Sequence, residues 1–133
     1  MQMTDIEKTR LLLLKYKEEK KSDLKVSLAY SIIITFTLSK EIFEKNIHID
    51  DFLRINDIHL KDYLFKSRTA LIGRLLRIIE KMSIEEIDSI IKNIRKIVFS
   101  EVDSIKHSKT SNEKSTNYYD SLLKIFGKNF NND

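Results

Sequence analysis

The chain has 133 residues, 33% charged and 41% hydrophobic, enough for one domain with its own core and too apolar for a disordered segment. It has no cysteine, which excludes disulfides, thiolate nucleophiles and thiolate metal sites. Its 24 Lys and Arg against 20 Asp and Glu leave a net charge of +4, which permits contact with nucleic acid without demanding it.

Proline is absent and there are two glycines. Hairpins and tight turns depend on those residues, so the composition argues against an all-β fold and for helices with short connections. No signal-peptide pattern is visible, because the four leucines at 11–14 are followed at once by charge. The longest apolar-rich window, 24–38, is interrupted by Lys25, Ser27, Ser31, Thr35 and Thr37 and falls short of the roughly 20 residues of a membrane span. A cytoplasmic protein with no membrane partner is expected.

In chain order, Thr4-Asp5-Ile6-Glu7 has the spacing of a capping box and starts a helix that runs to about Lys21. The four leucines cover every side of one turn, which predicts burial on more than one face. Within 24–46, Ile34 to Leu38 alternate like a β-branched strand, while Leu28, Ile32, Phe36 and Phe43 keep helical spacing. No turn residues bracket the run and no second strand is there to pair with it, so it reads as one buried helix stopping at Asn46. Residues 49–55 form a short helix, Asn56-Asp57 a turn, and a long helix is expected from about 58 to 82.

Ser83-Ile84-Glu85-Glu86 is a second capping box. The helix it opens carries Ile84, Ile87, Ile91, Ile94, Val98, Val102 and Ile105 at three- and four-residue steps. Residues 107–117 contain no apolar side chain and read as an exposed loop. Residues 118–127 read as a final helix docked on the 1–106 core, with Gly127 at its cap, and 128–133 as a frayed tail; Tyr118, Tyr119, Phe126 and Phe130 read as the docking cluster, with stacking on bases as the alternative. The fold class expected is all-α: a single helical-bundle domain of about five or six helices. Short helix, turn and long helix over 50–82 would form a helix-turn-helix-like unit.

The stretch KSRTALIGRLLRIIEK, 66–81, holds three arginines and two lysines against one acid, and one of the two glycines. On a helix its apolar residues form one stripe, while Lys66, Ala70, Gly73 and Arg77 align on the opposite side with Ser67 and Arg74 beside them. Arg68 lies toward the apolar side. A nearly bare surface ringed by cations lets another backbone come close. If that backbone is nucleic acid, Lys66, Arg68, Arg74, Arg77 and Lys81 would contact phosphates, and Ser67 and Thr69 would add hydrogen bonds. The alternative is that Gly73 serves tight helix packing and the arginines reach into water.

Arg54-Ile55-Asn56-Asp57-Ile58-His59 resembles the Arg-x4-His motif of the helical HEPN ribonucleases. The resemblance covers six residues. It implies that Arg54 and His59 act on a scissile phosphate and the attacking ribose hydroxyl. Here the motif spans an expected turn, and the other reading of His59 is a helix-start residue bonded locally. His48, His59 and His107 form no ligand pair at helical spacing, and neither glycine belongs to a phosphate loop, so no metal, cofactor or nucleotide site is expected.

The resulting expectation is a non-catalytic nucleic-acid-binding accessory protein, with DNA ahead of RNA, of the kind used in replication, plasmid maintenance, transcription control or phage defence. Its competitor is a protein-interaction subunit or inhibitor, a homodimer or part of a larger complex, that uses the 84–105 stripe. A HEPN-like ribonuclease is the remote third reading.

Overall fold

The computed structural model describes residues 2–101, with five α-helices and no strand among them. The loop, final helix and tail expected at 107–133, and Val102 and Ile105 of the isoleucine stripe, lie outside the described residues.

Helix α1, Asp5–Glu18, opens as its sequence predicts. Thr4 Oγ1 accepts from the Glu7 amide at 3.1 Å, and Glu7 Oε1 accepts from the Thr4 amide at 2.9 Å. Two donors that a helix start leaves unpaired are thereby satisfied. Ile6, Thr9, Leu13 and Tyr16 are buried, three- and four-residue steps along one face. Of the four leucines only Leu13 is fully buried; Leu11 and Leu14 are 44% and 50% exposed. Leu12 is half-buried against the core, so among the described residues burial at this turn covers Leu13 and part of Leu12 and not every side.

Helix α2, Ser22–Leu38, resolves the ambiguous segment as helix and buries Ala29, Ile32, Ile33, Phe36 and Thr37. It stops at Ser39, not Asn46. The Ser39 amide donates to Phe36 O, and its hydroxyl oxygen accepts from the Ile42 amide at 3.2 Å. A serine bonding its own local backbone competes with helix continuation in this way. The turn that follows drops Phe43 into the core beside Phe36 and Phe52, with ring centroids 5.2, 5.0 and 5.9 Å apart. Such tilted and edge-on aromatic pairs stabilise a core beyond their area alone.

Asn46 starts helix α3, Asn46–Ile55. The chain leaves α3 through Asn56-Asp57, where Asp57 adopts φ 60°. Ile58 N donates to Leu53 O and Asp57 N to Arg54 O, both at 2.9 Å. This is the Schellman arrangement, with aspartate in the left-handed position that glycine usually takes, and with Ile58 and Leu53 both buried.

The long helix expected over 58–82 is interrupted. A 3-10 turn, Asp62–Lys66, buries Leu64 and Phe65, and Ser67 then breaks to an extended conformation and caps helix α4, Arg68–Glu80. Ser67 Oγ accepts from the Ala70 amide at 3.3 Å. The connection from α3 to α4 is therefore residues 56–67, longer than the compact turn of a helix-turn-helix unit. Helix α5, Ile84–Arg95, begins at the second capping box, with Ser83 and Glu86 bonded reciprocally at 2.8 and 3.1 Å. It runs into a π-helical stretch, Lys96–Glu101.

Ile87, Ile90, Ile91, Ile94, Ile97 and Val98 are all buried in the core formed with α1 to α4. The described part of the isoleucine stripe is thus core, except Ile84, which is 47% exposed. Polar ties reinforce this packing. Tyr16 Oη donates to Asp88 Oδ1 at 3.0 Å, Arg10 donates to Val98 O at 2.8 and 3.0 Å, and Asn93 Nδ2 donates to Asn56 Oδ1 at 2.7 Å.

Candidate nucleic-acid interface

Helix α4 turns Leu71, Leu75 and Ile79 inward at four-residue steps. Ala70, Gly73, Arg74 and Arg77 all lie exposed on its outer side, as do Thr69 near its start and Lys81 just past its end. Lys66 and Ser67 are also exposed but precede the helix, since Ser67 is its cap. They extend the basic strip along the chain and do not share the helical face.

Among the described residues, no ion pair or hydrogen bond engages the side chains of Lys66, Arg74, Arg77 or Lys81. Among the described residues the centre of the face is bare: a Cβ built on Gly73 would meet none of their atoms within 4 Å. No described element packs on Gly73, so packing among the described helices does not account for a glycine there. Glycine inside a helix costs about 1 kcal/mol relative to alanine.

Arg68 behaves differently. It sits at the start of α4 on the side that Leu75 and Ile79 occupy, three and four residues per step along the helix. Its Nε donates to Asn46 Oδ1 at 2.6 Å, Nη1 donates to Leu38 O and Ser39 O at 3.2 and 3.1 Å, and Nη2 donates to Phe43 O. The guanidinium closes the C-terminal end of α2 and the turn after it, where the carbonyls of a helix end attract a cation. Partial burial lowers its pKa from the ordinary arginine value. With its donors directed into this site, Arg68 holds the scaffold beneath the basic face.

Beside Gly73 a shallow groove of about 350 Å³ opens toward α2, lined by Tyr30, Gly73, Leu76, Arg77 and Glu80. Tyr30 has no sequence signal linking it to α4; only the pairing of the two helices brings it there. The one exposed aromatic among the described residues, Tyr63 at 66%, lies in the 3-10 turn just ahead of α4.

Arg54 and His59 are held apart in role. Arg54, in the last turn of α3, pairs with Asp50 at 3.2 Å; His59 lies beyond the left-handed turn and contacts Asp57 at 3.2 Å. The motif does not run along one helix, so its spacing does not set both side chains on one helical face. Among the described residues no group of three or more His, Asp or Glu is arranged to hold a metal ion, and no helix is long and apolar enough to cross a membrane.

Comparison with protein-family models, with curated proteins and with solved structures finds no match to this chain.

Proposed function

We propose that this chain is a non-catalytic nucleic-acid-binding protein that grips phosphates with the outer side of α4. Arg74, Arg77 and Lys81 supply the principal charges, Lys66 extends them, and Ser67 and Thr69 contribute hydroxyls. Arg68 is left out of this set, because its donors are engaged within the fold.

The observation that carries the reading is Gly73: a helix-interior glycine over which no described residue packs, flanked by cations that no described residue neutralises. Such a surface admits a sugar-phosphate backbone at close range, where arginine binds phosphate oxygens in bidentate fashion. The competing interaction-subunit reading has less to work with, since Ile87 to Val98 are spent on the core.

The test is a binding titration of labelled single- and double-stranded DNA and RNA at two salt concentrations. Affinity should fall steeply with salt, and Arg74→Glu and Arg77→Glu should each weaken it. Salt-independent binding, or none by the wild type, would overturn the proposal. The same preparations, assayed for metal-independent RNA cleavage with His59→Ala as control, test the HEPN-like reading.

A further inference from the structure

We propose that the groove between α2 and α4 receives an unpaired base, so that the ligand of the basic face is a single strand. The inference rests on the nucleic-acid reading of α4 and deepens it.

The chemistry of the groove fits a base better than a phosphate. Its five lining residues include an aromatic ring, Tyr30, an apolar side chain, Leu76, and a carboxylate, Glu80. A carboxylate repels phosphate but accepts from the amino and imino N–H groups on a base edge. The opposite requirement, positive charge for the backbone, is met next door: Arg77 lines the groove and also belongs to the outer strip with Arg74. Gly73 leaves the entrance open, since no side chain there stands between strip and groove.

A volume of about 350 Å³ is at the small end of the range for sites that enclose small molecules. A basic track beside an aromatic side chain is the arrangement by which proteins hold single strands, the phosphates on cations and the bases on rings. A paired base in a duplex has its faces covered by its neighbours and cannot enter such a groove. Tyr63 offers a second exposed ring at the other end of α4.

The experiment compares three labelled ligands by fluorescence anisotropy: a mixed-sequence single strand, its duplex, and the same strand made abasic throughout its central third. Two variants alter the groove and spare the cations. Tyr30→Leu keeps apolar bulk against the core, and Gly73→Leu puts a side chain into the groove from a position where a Cβ meets no described atom within 4 Å. Both should melt near the wild-type temperature. We expect the wild type to prefer the intact single strand over the abasic strand and the duplex. Each variant should lose about 5- to 150-fold on the intact strand, the range for one base stacked on an aromatic ring, and little on the other two. If both variants bind the intact strand as the wild type does, or if duplex and single strand bind equally, the groove proposal fails. The phosphate-binding reading then still stands, provided Arg74→Glu and Arg77→Glu weaken binding. If those charge reversals change nothing either, both fall together.

Discussion

Arg68 Nε donates to Asn46 Oδ1 at 2.6 Å, while the same Asn46 side chain donates through Nδ2 to Phe65 O at 2.7 Å. One amide thus joins the start of α3, the 3-10 turn and the start of α4. The other Arg68 donors close the end of α2. The orientation of α4, and so of its basic face, depends on this junction.

Arg68→Ala should therefore destabilise the fold by about 2–3 kcal/mol, the scale of lost hydrogen bonds to a charged group. Arg68→Lys should recover only part, because an ammonium cannot reproduce the planar fork that reaches several carbonyls at once. Urea unfolding measures both. An Arg68→Ala protein with an unchanged midpoint and a selective loss of nucleic-acid affinity would return Arg68 to the interface.

Tyr16 gives a pH prediction. Its hydroxyl is held well above the ordinary value of 10.0, first by burial and then by the hydrogen bond to Asp88 and the charge of that carboxylate. A proton bound more tightly in the folded state stabilises it fully below the unfolded pKa, and the contribution is lost as pH rises beyond that value. The stability gap between wild type and Tyr16→Phe should be flat from neutral pH to about 9 and shrink above about 10. A gap that grows with alkaline pH would contradict the burial of this hydroxyl against Asp88.

The isoleucine helix gives a stability prediction with a clear sign. Ile91 and Ile94 are 3% and 0% exposed. Ile91→Asp or Ile94→Asp places a carboxylate among apolar side chains and should cost several kcal/mol, or neutralise only at a cost of the same order. Thermal denaturation at neutral pH reads this directly. Near-wild-type melting in both variants would place the stripe at the surface.

The parts of the fold that sequence reveals are those written in a few neighbouring residues. Thr4 with Glu7, and Ser83 with Glu86, carry both halves of a capping box within four positions, and α1 and α5 start where those boxes say. Ser67 caps α4 without such a partner, since the third helical residue is Ala70, so the break before α4 has no comparable mark. Asp57 takes the left-handed position with no glycine to advertise it. Periodicity sets Arg68 toward the apolar side but does not give its partners, because its acceptors are 22 to 30 residues earlier in the chain, three of them backbone carbonyls that no side-chain pattern encodes. Periodicity shows Ala70, Gly73 and Arg77 in line with Arg74 beside them, but not that Lys66 falls ahead of the helix; that no described residue covers Gly73, with Tyr30 beside it, follows only from how α2 packs on α4.

The basic face yields the last prediction, which separates its two possible occupants. Gly73→Ala should raise the stability of the monomer by about 1 kcal/mol, because the new methyl group meets nothing and alanine is the better helix former. Arg74→Glu and Arg77→Glu should leave the melting temperature nearly unchanged, as solvated side chains do. If phosphate lies on this face, each reversal weakens binding to all sequences alike, since phosphate contacts carry little sequence information. Arg77→Gln should make the dependence of log affinity on log salt shallower by about one unit, the share of one phosphate contact. If a second helix crosses the face instead, the pattern inverts. Gly73→Ala would then weaken self-association through overpacking, visible by size-exclusion chromatography, and the charge reversals would alter assembly with no defect in binding DNA or RNA. Folded Arg74→Glu and Arg77→Glu proteins that bind both nucleic acids with wild-type affinity and wild-type salt dependence would rule out α4 as the phosphate-binding surface.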